Sequence, residues 1–171
     1  MYVELHACSA FSFLEGASLP EDIIKEAVRL EMPAIALLDR DGVYGAPRFH
    51  TAAKKAGIRA HVGAEVSVTG LGTQAGVPSW MPNKIPARPV RLALLAENRT
   101  GYQNLCRLIT RYKMRELEKG TGTATLEELA EHAEGLVCLT GGEEGVLAAS
   151  LAHDGEPGAR QAIKKLAAIF G

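Results

Sequence analysis

Three residues whose side chains commonly bind metals lie where predicted strands end. His6 closes the first apolar run, Asp39 ends the second (AIALLD), and Glu65 lies in the third (HVGAEV). Where neighbouring strands are parallel, their carboxyl ends meet at one edge, and ligands bind there. Imidazole together with carboxylates suits zinc, manganese or iron. The sequence therefore predicts a metal site at this edge, although an acid such as Asp39 can equally cap a helix or accept from loop amides.

Two further residues could extend this set. Cys8 follows His6 by two positions, and the alternation of a strand would aim both side chains the same way. Glu15, in the segment SFLEGAS, could bend back to the same edge or remain a solvated turn residue. The other cysteines, Cys106 and Cys138, lie within apolar patterns and are interpreted as core thiols.

Strands and helices must alternate to position these residues. The predicted strands are short apolar runs, several nearly continuous as in strands covered on both faces, at residues 2–7, 34–39, 58–68, 90–96 and 135–140. The first predicted helix opens with a capping box at Ser18 and Glu21, and the others cover about 46–56, 98–117, 125–133, 143–152 and 158–169. This alternation predicts an α/β fold with a parallel sheet, either an open doubly wound sheet or a barrel. Residues 70–89 hold the main Gly/Pro cluster and are expected to form a surface loop or short hairpin insertion.

The composition narrows the classes of protein. The 19 Lys and Arg residues nearly balance the 20 Asp and Glu residues, so no net basic field indicates direct contact with nucleic acid or an anionic membrane. No CxxC pair suggests a zinc knuckle or a disulfide framework. The sequence has no leader segment and no apolar run that could span a bilayer, which predicts a cytoplasmic protein without a membrane partner.

Four segments together resemble a known family. They are YVELHACSAFSFLEGAS, ALLDRDGVYGAPRFHTAAKKAGIRAHVGAE, LALLAENRTGYQNLCRLIT and GLVCLTGG. They are similar to the polymerase and histidinol phosphatase (PHP) domain at the N-terminus of bacterial polymerase III alpha-type proteins, and the DRDG turn favours the error-prone branch. The resemblance implies a distorted seven-stranded (β/α)7 TIM-like barrel with a metal cluster at the strand ends. Residues 1–171 would then be the N-terminal portion of that barrel, without its last strands.

The resemblance also implies which metal ligands the chain retains. Metal-binding members have a His-x-His motif followed by an acidic residue, and those positions hold His6, Cys8 and Glu15 here. The aspartate of the second motif corresponds to Asp39, and the glutamate of the third to Glu65. This set of residues predicts either a residual divalent metal, zinc or manganese, or no metal at all.

At other positions of the family pattern the ligands are replaced. A histidine of the second motif corresponds to Arg40, another histidine to Arg91, and a cysteine to Gly142. A guanidinium stays protonated and cannot bind a metal. If Arg40 and Arg91 point inward, they oppose metal occupancy. We expect them to pair with Asp39, Glu65 or Glu15 and to cross-link the edge of the sheet by salt bridges instead.

The favoured function is that of a structural PHP segment, with a degraded metal site, in an error-prone DNA-directed DNA polymerase for replication, damage-induced translesion synthesis and repair. The polymerase active site, with its magnesium, would lie in domains beyond residue 171. The expected partners are those domains, DNA through the full-length protein, and the sliding clamp and translesion accessory proteins. One alternative is a metal-dependent phosphoesterase or 3′-5′ exonuclease that uses His6, Asp39 and Glu65. Another is a docking module built from the loop around Trp80 and a basic helix face with Arg107, Arg111, Lys113 and Arg115.

Overall fold

The protein has an α/β fold. A computed structural model describes residues 2–71, 89–116 and 120–171. The strands are β1 (Glu4–Ala7), β2 (Ala34–Arg40), β3 (Arg59–Val68), β4 (Val90–Ala96) and β5 (Leu136–Leu139). The helices are α1 (Pro20–Arg29), α2 (Ala46–Ala56), α3 (Arg99–Arg115), α4 (Leu126–Glu131) and α5 (Val146–Phe170). All five predicted strands are therefore present, within a few residues of their expected bounds.

The five strands form one sheet in the order β1-β2-β3-β4-β5. The first three strands are parallel, whereas β4 runs antiparallel to both β3 and β5. The prediction of a wholly parallel sheet is therefore wrong for β4. The physical reason is that a continuous apolar run indicates burial on both faces but not strand direction. Within the described residues the sheet has five strands.

The alternation of side chains gives the sheet two distinct faces. On one, the helix face, Ile35 and Leu37 of β2 pack with Phe49 of α2 and with α1. On the other, the inner face, Ala36 and Leu38 pack in a separate cluster with residues of β4. Adjacent residues of one strand therefore belong to different environments. This alternation decides which polar side chains can meet at the end of the sheet.

The main core lies on the helix face of β3 and β4. Val66 of β3 and Leu92 of β4 pack there against Leu108 of α3 and Val146 of α5, and all four are fully buried. Burial of such side chains stabilises the fold by about 1.5 to 3 kcal/mol each. The core thus holds β3 and β4, the two strands whose ends carry Glu65 and Arg91, in a fixed register.

The helix ends test the capping predictions. The helix α2 covers 46–56 as expected and ends at Gly57, which has φ of 73°. The helix α4 begins with a capping box formed by Thr125 and Glu128. The box predicted at Ser18 is wrong, because the residue before the helix is Leu19 and no side chain caps it. Pro20 starts the helix at its first position, which places Ser18 one residue too early.

The two helices predicted after β5 are both present, and they meet at a kink within α5. Within α5, Gly155 has φ of 66° and ψ of −162°, and Pro157 follows. This break falls in the gap left between the two predicted helices. Most of the predicted 70–89 insertion, including Trp80, lies outside the described residues. No helix in the described part of the chain is long and apolar enough to cross a membrane.

Candidate functional site

A cavity of about 380 Å³ lies on the inner face at the carboxyl ends of β1, β2 and β3. Register brings its residues together, because Glu65 lies opposite Arg40 across β2 and β3, and Arg91 lies opposite Ser67 across β3 and β4. The antiparallel direction of β4 puts the start of that strand, and so Arg91, at this end of the sheet. The side chains that line the cavity are His6, Cys8, Glu15, Leu38, Glu65, Arg91 and Glu144.

Arg91 is the centre of the site. Its Nη2 and Nη1 atoms donate to the two carboxylate oxygens of Glu15 at 2.7 and 2.9 Å. Nη1 also donates to Glu65 Oε2 at 3.1 Å, and Nε lies 3.1 Å from Glu144 Oε2. The side chain is only 16% exposed. Burial by itself would lower the pKa of Arg91, but the three carboxylates outweigh that effect and raise the pKa, so the group stays charged.

Glu15 is shared between two guanidinium groups. Arg40 donates to Oε1 of Glu15, which also accepts a hydrogen bond from Nη2 of Arg91. The Arg40 side chain is 39% exposed. Burial acts to raise the pKa of Glu15, but the hydrogen bond and charge of Arg91, together with Arg40, hold that pKa below its usual value. The expected pairing of Arg40 and Arg91 with Glu15, and of Arg91 with Glu65, is therefore present. Neither arginine has a described ion pair with Asp39.

His6 completes the network on the β1 side. Its Nε2 lies 3.0 Å from Glu65 Oε1, so Glu65 bridges His6 and Arg91. The hydrogen bond to Glu65 is the main cause that raises the pKa of His6. Burial opposes ionisation of Glu65, yet His6 and Arg91 together hold the pKa of Glu65 below its usual value. A protonated His6 and an ionised Glu65 therefore stabilise each other.

Cys8 lines the same cavity, as the spacing from His6 predicted. Burial raises the pKa of its thiol, and the charges of Asp39, Glu65 and Glu15 raise it further. The thiolate is the form that binds metals. In this surrounding the thiol remains protonated at neutral pH when no metal is bound.

The structure does not bring Asp39 into the cavity, and this corrects the grouping of Asp39 with His6 and Glu65. Asp39 is 1% exposed and has the strand parity of Ile35 and Leu37, so its side chain lies on the helix face. Its oxygens accept from the Ser9 amide and hydroxyl and from the Ser12 hydroxyl at 2.8 to 3.0 Å, and from the Gly45 amide at 3.0 Å. Asp39 thus organises the loop after β1 and the start of α2.

Gly142 lies in the exposed turn between β5 and α5, and a Cβ atom added there would have no neighbour within 4 Å. The functional neighbour in this turn is Glu144, which the sequence reasoning missed. The Arg91 amide donates to the Glu144 carbonyl at 3.0 Å, and the Glu144 carboxylate contacts the Arg91 side chain. The rule that acids after strand ends reach the site could have found Glu144, since it follows β5.

Asp41 is a second residue that sequence reasoning missed. It has φ of 46°, and its amide donates to the Glu65 carbonyl at 2.8 Å. Its carboxylate accepts from the Ser67 amide and hydroxyl at 2.8 and 2.9 Å and from the Tyr112 hydroxyl at 2.8 Å. Burial raises the pKa of Tyr112, as does the charge of Asp41, so the phenol remains a donor. Asp41 thereby fixes the strand that carries Glu65 against α3.

The basic residues predicted on α3 are engaged within the molecule. Arg115 donates to the buried carboxylate of Glu128, and Arg111 contacts both Glu128 and Glu131. Lys113 donates to the Tyr44 hydroxyl at 2.8 Å. These contacts tie α3 to α4 and to the turn after β2, and they reduce the charge that a phosphate backbone could meet.

The residues of the cavity do not fit a bound divalent metal. The two carboxylates that would supply ligands, Glu15 and Glu65, are both hydrogen-bonded to Arg91. Within residues 2–71, 89–116 and 120–171, no group of three or more His, Cys, Asp and Glu side chains is arranged to hold a metal ion. A second cation among these groups would be repelled by the guanidinium and would have to displace it.

Comparisons with known proteins agree with the resemblance. A family model described as the PHP domain matches residues 4–171. An error-prone DNA polymerase of Mycolicibacterium paratuberculosis is 40% identical over 171 residues, which are 99% of this chain and 15% of that protein. An error-prone DNA polymerase of Anaeromyxobacter sp. (strain K) is 40% identical over 158 residues, 88% of this chain and 13% of that protein. The chain therefore spans only 13% to 15% of the length of these relatives.

One solved structure gives a more distant likeness. It is an amidohydrolase from Chromobacterium violaceum with bound sulfate and no metal, at a TM-score of 0.47 and 22% identity. The match covers 77% of this chain and 38% of that one.

Proposed function

The chain belongs to the PHP domain family, and on that premise we propose that it is the N-terminal structural segment of an error-prone DNA polymerase, with Arg91 in the structural place of a metal. Relatives that bear the name error-prone DNA polymerase are 40% identical over 88% to 99% of this chain. Because the chain spans 13% to 15% of their length, synthesis of DNA is assigned to the longer protein and not to this segment.

The observation that carries the proposal is the set of contacts made by Arg91. One buried guanidinium on β4 joins Glu15 in the loop after β1, Glu65 on β3 and Glu144 in the turn after β5. A metal ion would cross-link the same separate elements through their carboxylates. The planar guanidinium does so with fixed geometry and at any pH where the carboxylates are ionised.

Several finer features belong to the same proposal. Further residues of the polymerase would complete this sheet as a (β/α)7 barrel of PHP type. The partners would be the remaining polymerase domains, DNA through the whole protein, the sliding clamp and translesion accessory proteins in the cytoplasm. Magnesium would serve nucleotidyl transfer in the other domains and would not be held by this segment.

The alternative of a phosphoesterase or 3′-5′ exonuclease needs a metal to activate water. The pairing of Glu15 and Glu65 with Arg91 opposes that role. Asp39, the third residue of the alternative, accepts hydrogen bonds from Ser9, Ser12 and Gly45 on the other face.

The test is the metal content and metal response of the purified chain. We expect less than a stoichiometric amount of zinc or manganese by elemental analysis, and no change in unfolding temperature with either metal or with a chelator. The Arg91→His variant releases Glu15 and Glu65 from the buried guanidinium and introduces an imidazole, so the same metals are expected to raise its unfolding temperature. Arg48→His is the matched control, because Arg48 pairs with Glu21 away from the cavity. One tightly bound metal per unmodified chain would overturn the proposal.

A further inference from the structure

The loop between β1 and α1 is stabilised by hydrogen bonds between its own residues. The Ser12 amide donates to the Ser9 carbonyl at 2.8 Å, and the amides of Glu15 and Gly16 donate to the Ser12 carbonyl at 3.0 and 2.9 Å. The side chains of Ser9 and Ser12 are buried against Asp39. A Cβ atom on Gly16 would lie 2.0 Å from the Ser9 carbonyl oxygen, so only glycine permits this close approach.

This rigid loop holds two large apolar side chains out in solvent. Phe13 is 81% exposed and Leu14 is 89% exposed. Leu14 also has φ of 64°, a left-handed conformation that is unfavourable for a leucine. Single exposed apolar residues are common on protein surfaces, but two adjacent ones at the tip of an internally bonded loop form a preorganised anchor. We call Phe13 and Leu14 the apolar tip.

We propose that the apolar tip inserts into an apolar pocket formed by later residues of the same polymerase polypeptide, an inference that rests on the proposed function. The chain spans 13% to 15% of its relatives, so further domains of such a polypeptide are present at high effective concentration. A stable complex between separate chains buries about 1,200 Å² or more, whereas two side chains supply only a few hundred. The area of the tip therefore suits an intramolecular contact and is too small for a dimer of this segment.

The site described above holds the apolar tip in place. Glu15 follows Leu14 directly, and its carboxylate is bonded to both Arg91 and Arg40. The other end of the loop is fixed through Ser9 and Asp39. Docking consequently requires no ordering of the loop, which lowers the entropic cost of the contact. The contacts of Arg91 and Arg40 with Glu15 therefore also fix the position of the apolar tip for docking.

The first test measures side-chain exposure directly in the unmodified protein. Hydroxyl-radical footprinting with mass spectrometry compares the oxidation rates of Phe13 and Leu14 in the full-length polymerase and in the 171-residue chain. Leu30, which is half exposed and lies after α1 at the opposite end of the sheet, is the matched control. We expect Phe13 and Leu14 to lose most of their oxidation rate in the full-length protein while Leu30 does not. Equal rates in the two proteins would overturn the proposal.

The second test uses the double variant Phe13→Ser, Leu14→Asn. Asparagine tolerates a left-handed backbone better than leucine, so the 171-residue chain should unfold at an unchanged or higher temperature. In the full-length polymerase the same variant should lower the unfolding temperature of the transition that includes this segment. Equal shifts in both proteins, or protection of the tip in the isolated chain at concentrations where it sediments as a dimer, would overturn the proposal. Neither outcome depends on metal content, so the two proposals can fail separately.

Discussion

Replacing Arg91 by methionine gives the sharpest test of the arginine cross-link. Methionine keeps most of the side-chain length and removes the charge. Glu15 and Glu65, whose side chains lie on either side of Arg91, then lose their shared cation. Both carboxylates are largely removed from solvent, so water cannot fully replace the lost partner. The variant therefore leaves Glu15 with Arg40 alone and Glu65 with His6 alone, so two neighbouring carboxylates have lost their most buried counter-charge.

The expected loss in free energy of unfolding follows from the burial of Arg91. Breaking a fully buried ion pair from one side costs about 3 to 5 kcal/mol. Arg91 is 16% exposed and Glu144 remains largely in solvent, which reduces that figure to about 2 to 4 kcal/mol. A domain of this size is stable by about 5 to 15 kcal/mol, so the chain should remain folded. Arg40→Met is the matched control, because Arg40 is 39% exposed and its loss should cost about 1 kcal/mol or less.

Urea unfolding at several pH values would measure both variants. The pKa values of Glu15 and Glu65 are lowered in the folded protein, so their stabilisation is present above the unfolded value near 4.5 and is lost as the pH falls through the folded values. Arg91→Met removes the contribution of Arg91 to both carboxylates, while Arg40 still acts on Glu15 and His6 still acts on Glu65. The difference in free energy of unfolding between the two proteins should therefore be largest near neutral pH and shrink below about pH 4.5.

Two results would refute this reasoning. In the first, Arg91→Met lowers the free energy of unfolding by no more than Arg40→Met does, and the slope against urea concentration is the same in both variants. That result would mean that the burial of Arg91 does not strengthen its ion pairs. The other is a difference that does not change with pH, which would show that packing and not the ion pairs explains the loss.

Three further predictions use the same unfolding assay. Asp39→Asn should destabilise the chain by about 2 to 3 kcal/mol, because an amide nitrogen would replace one of two buried oxygens that both accept hydrogen bonds. Tyr112→Phe should cost about 1 kcal/mol through the loss of its hydrogen bond to Asp41, and a neutral result would contradict that role. The pKa of His6 is raised in the folded protein, so its contribution to stability is complete below about pH 6.5 and is lost as the pH rises through the folded pKa. The variant His6→Gln should therefore flatten the pH dependence of the free energy of unfolding above about pH 6.5. An unchanged pH profile in that variant would show that the contact with Glu65 is not responsible.

Much of this fold could be predicted from the sequence because its signals are local. Apolar runs located the five strands of the described residues, and the predicted range 46–56 matches α2. The direction of β4 could not be obtained in this way, since pairing direction depends on the path of the chain and not on its local pattern. That direction matters for the site, because it brings Arg91 to the same end of the sheet as Glu65.

The candidate site was predictable only in part. His6, Cys8, Glu15, Glu65 and Arg91 do meet in one cavity. The alternation within β2 could have shown that Asp39 and Arg40 point to opposite faces, but the sequence did not reveal which of the two faces the cavity. Glu144 and Asp41 were missed because their roles depend on turns whose conformations, such as the positive φ of Asp41, are set by tertiary contacts.

The pairing of Val68 with Val90 has a consequence for how this sequence tolerates change in length. The connection between β3 and β4 starts and finishes at directly opposed residues, and the register of the two strands positions Arg91 independently of that connection. The free energy of closing a connection rises by only about 0.6 kcal/mol for each doubling of its length. The register of β3 and β4 should therefore keep Arg91 in place when the length of this connection changes.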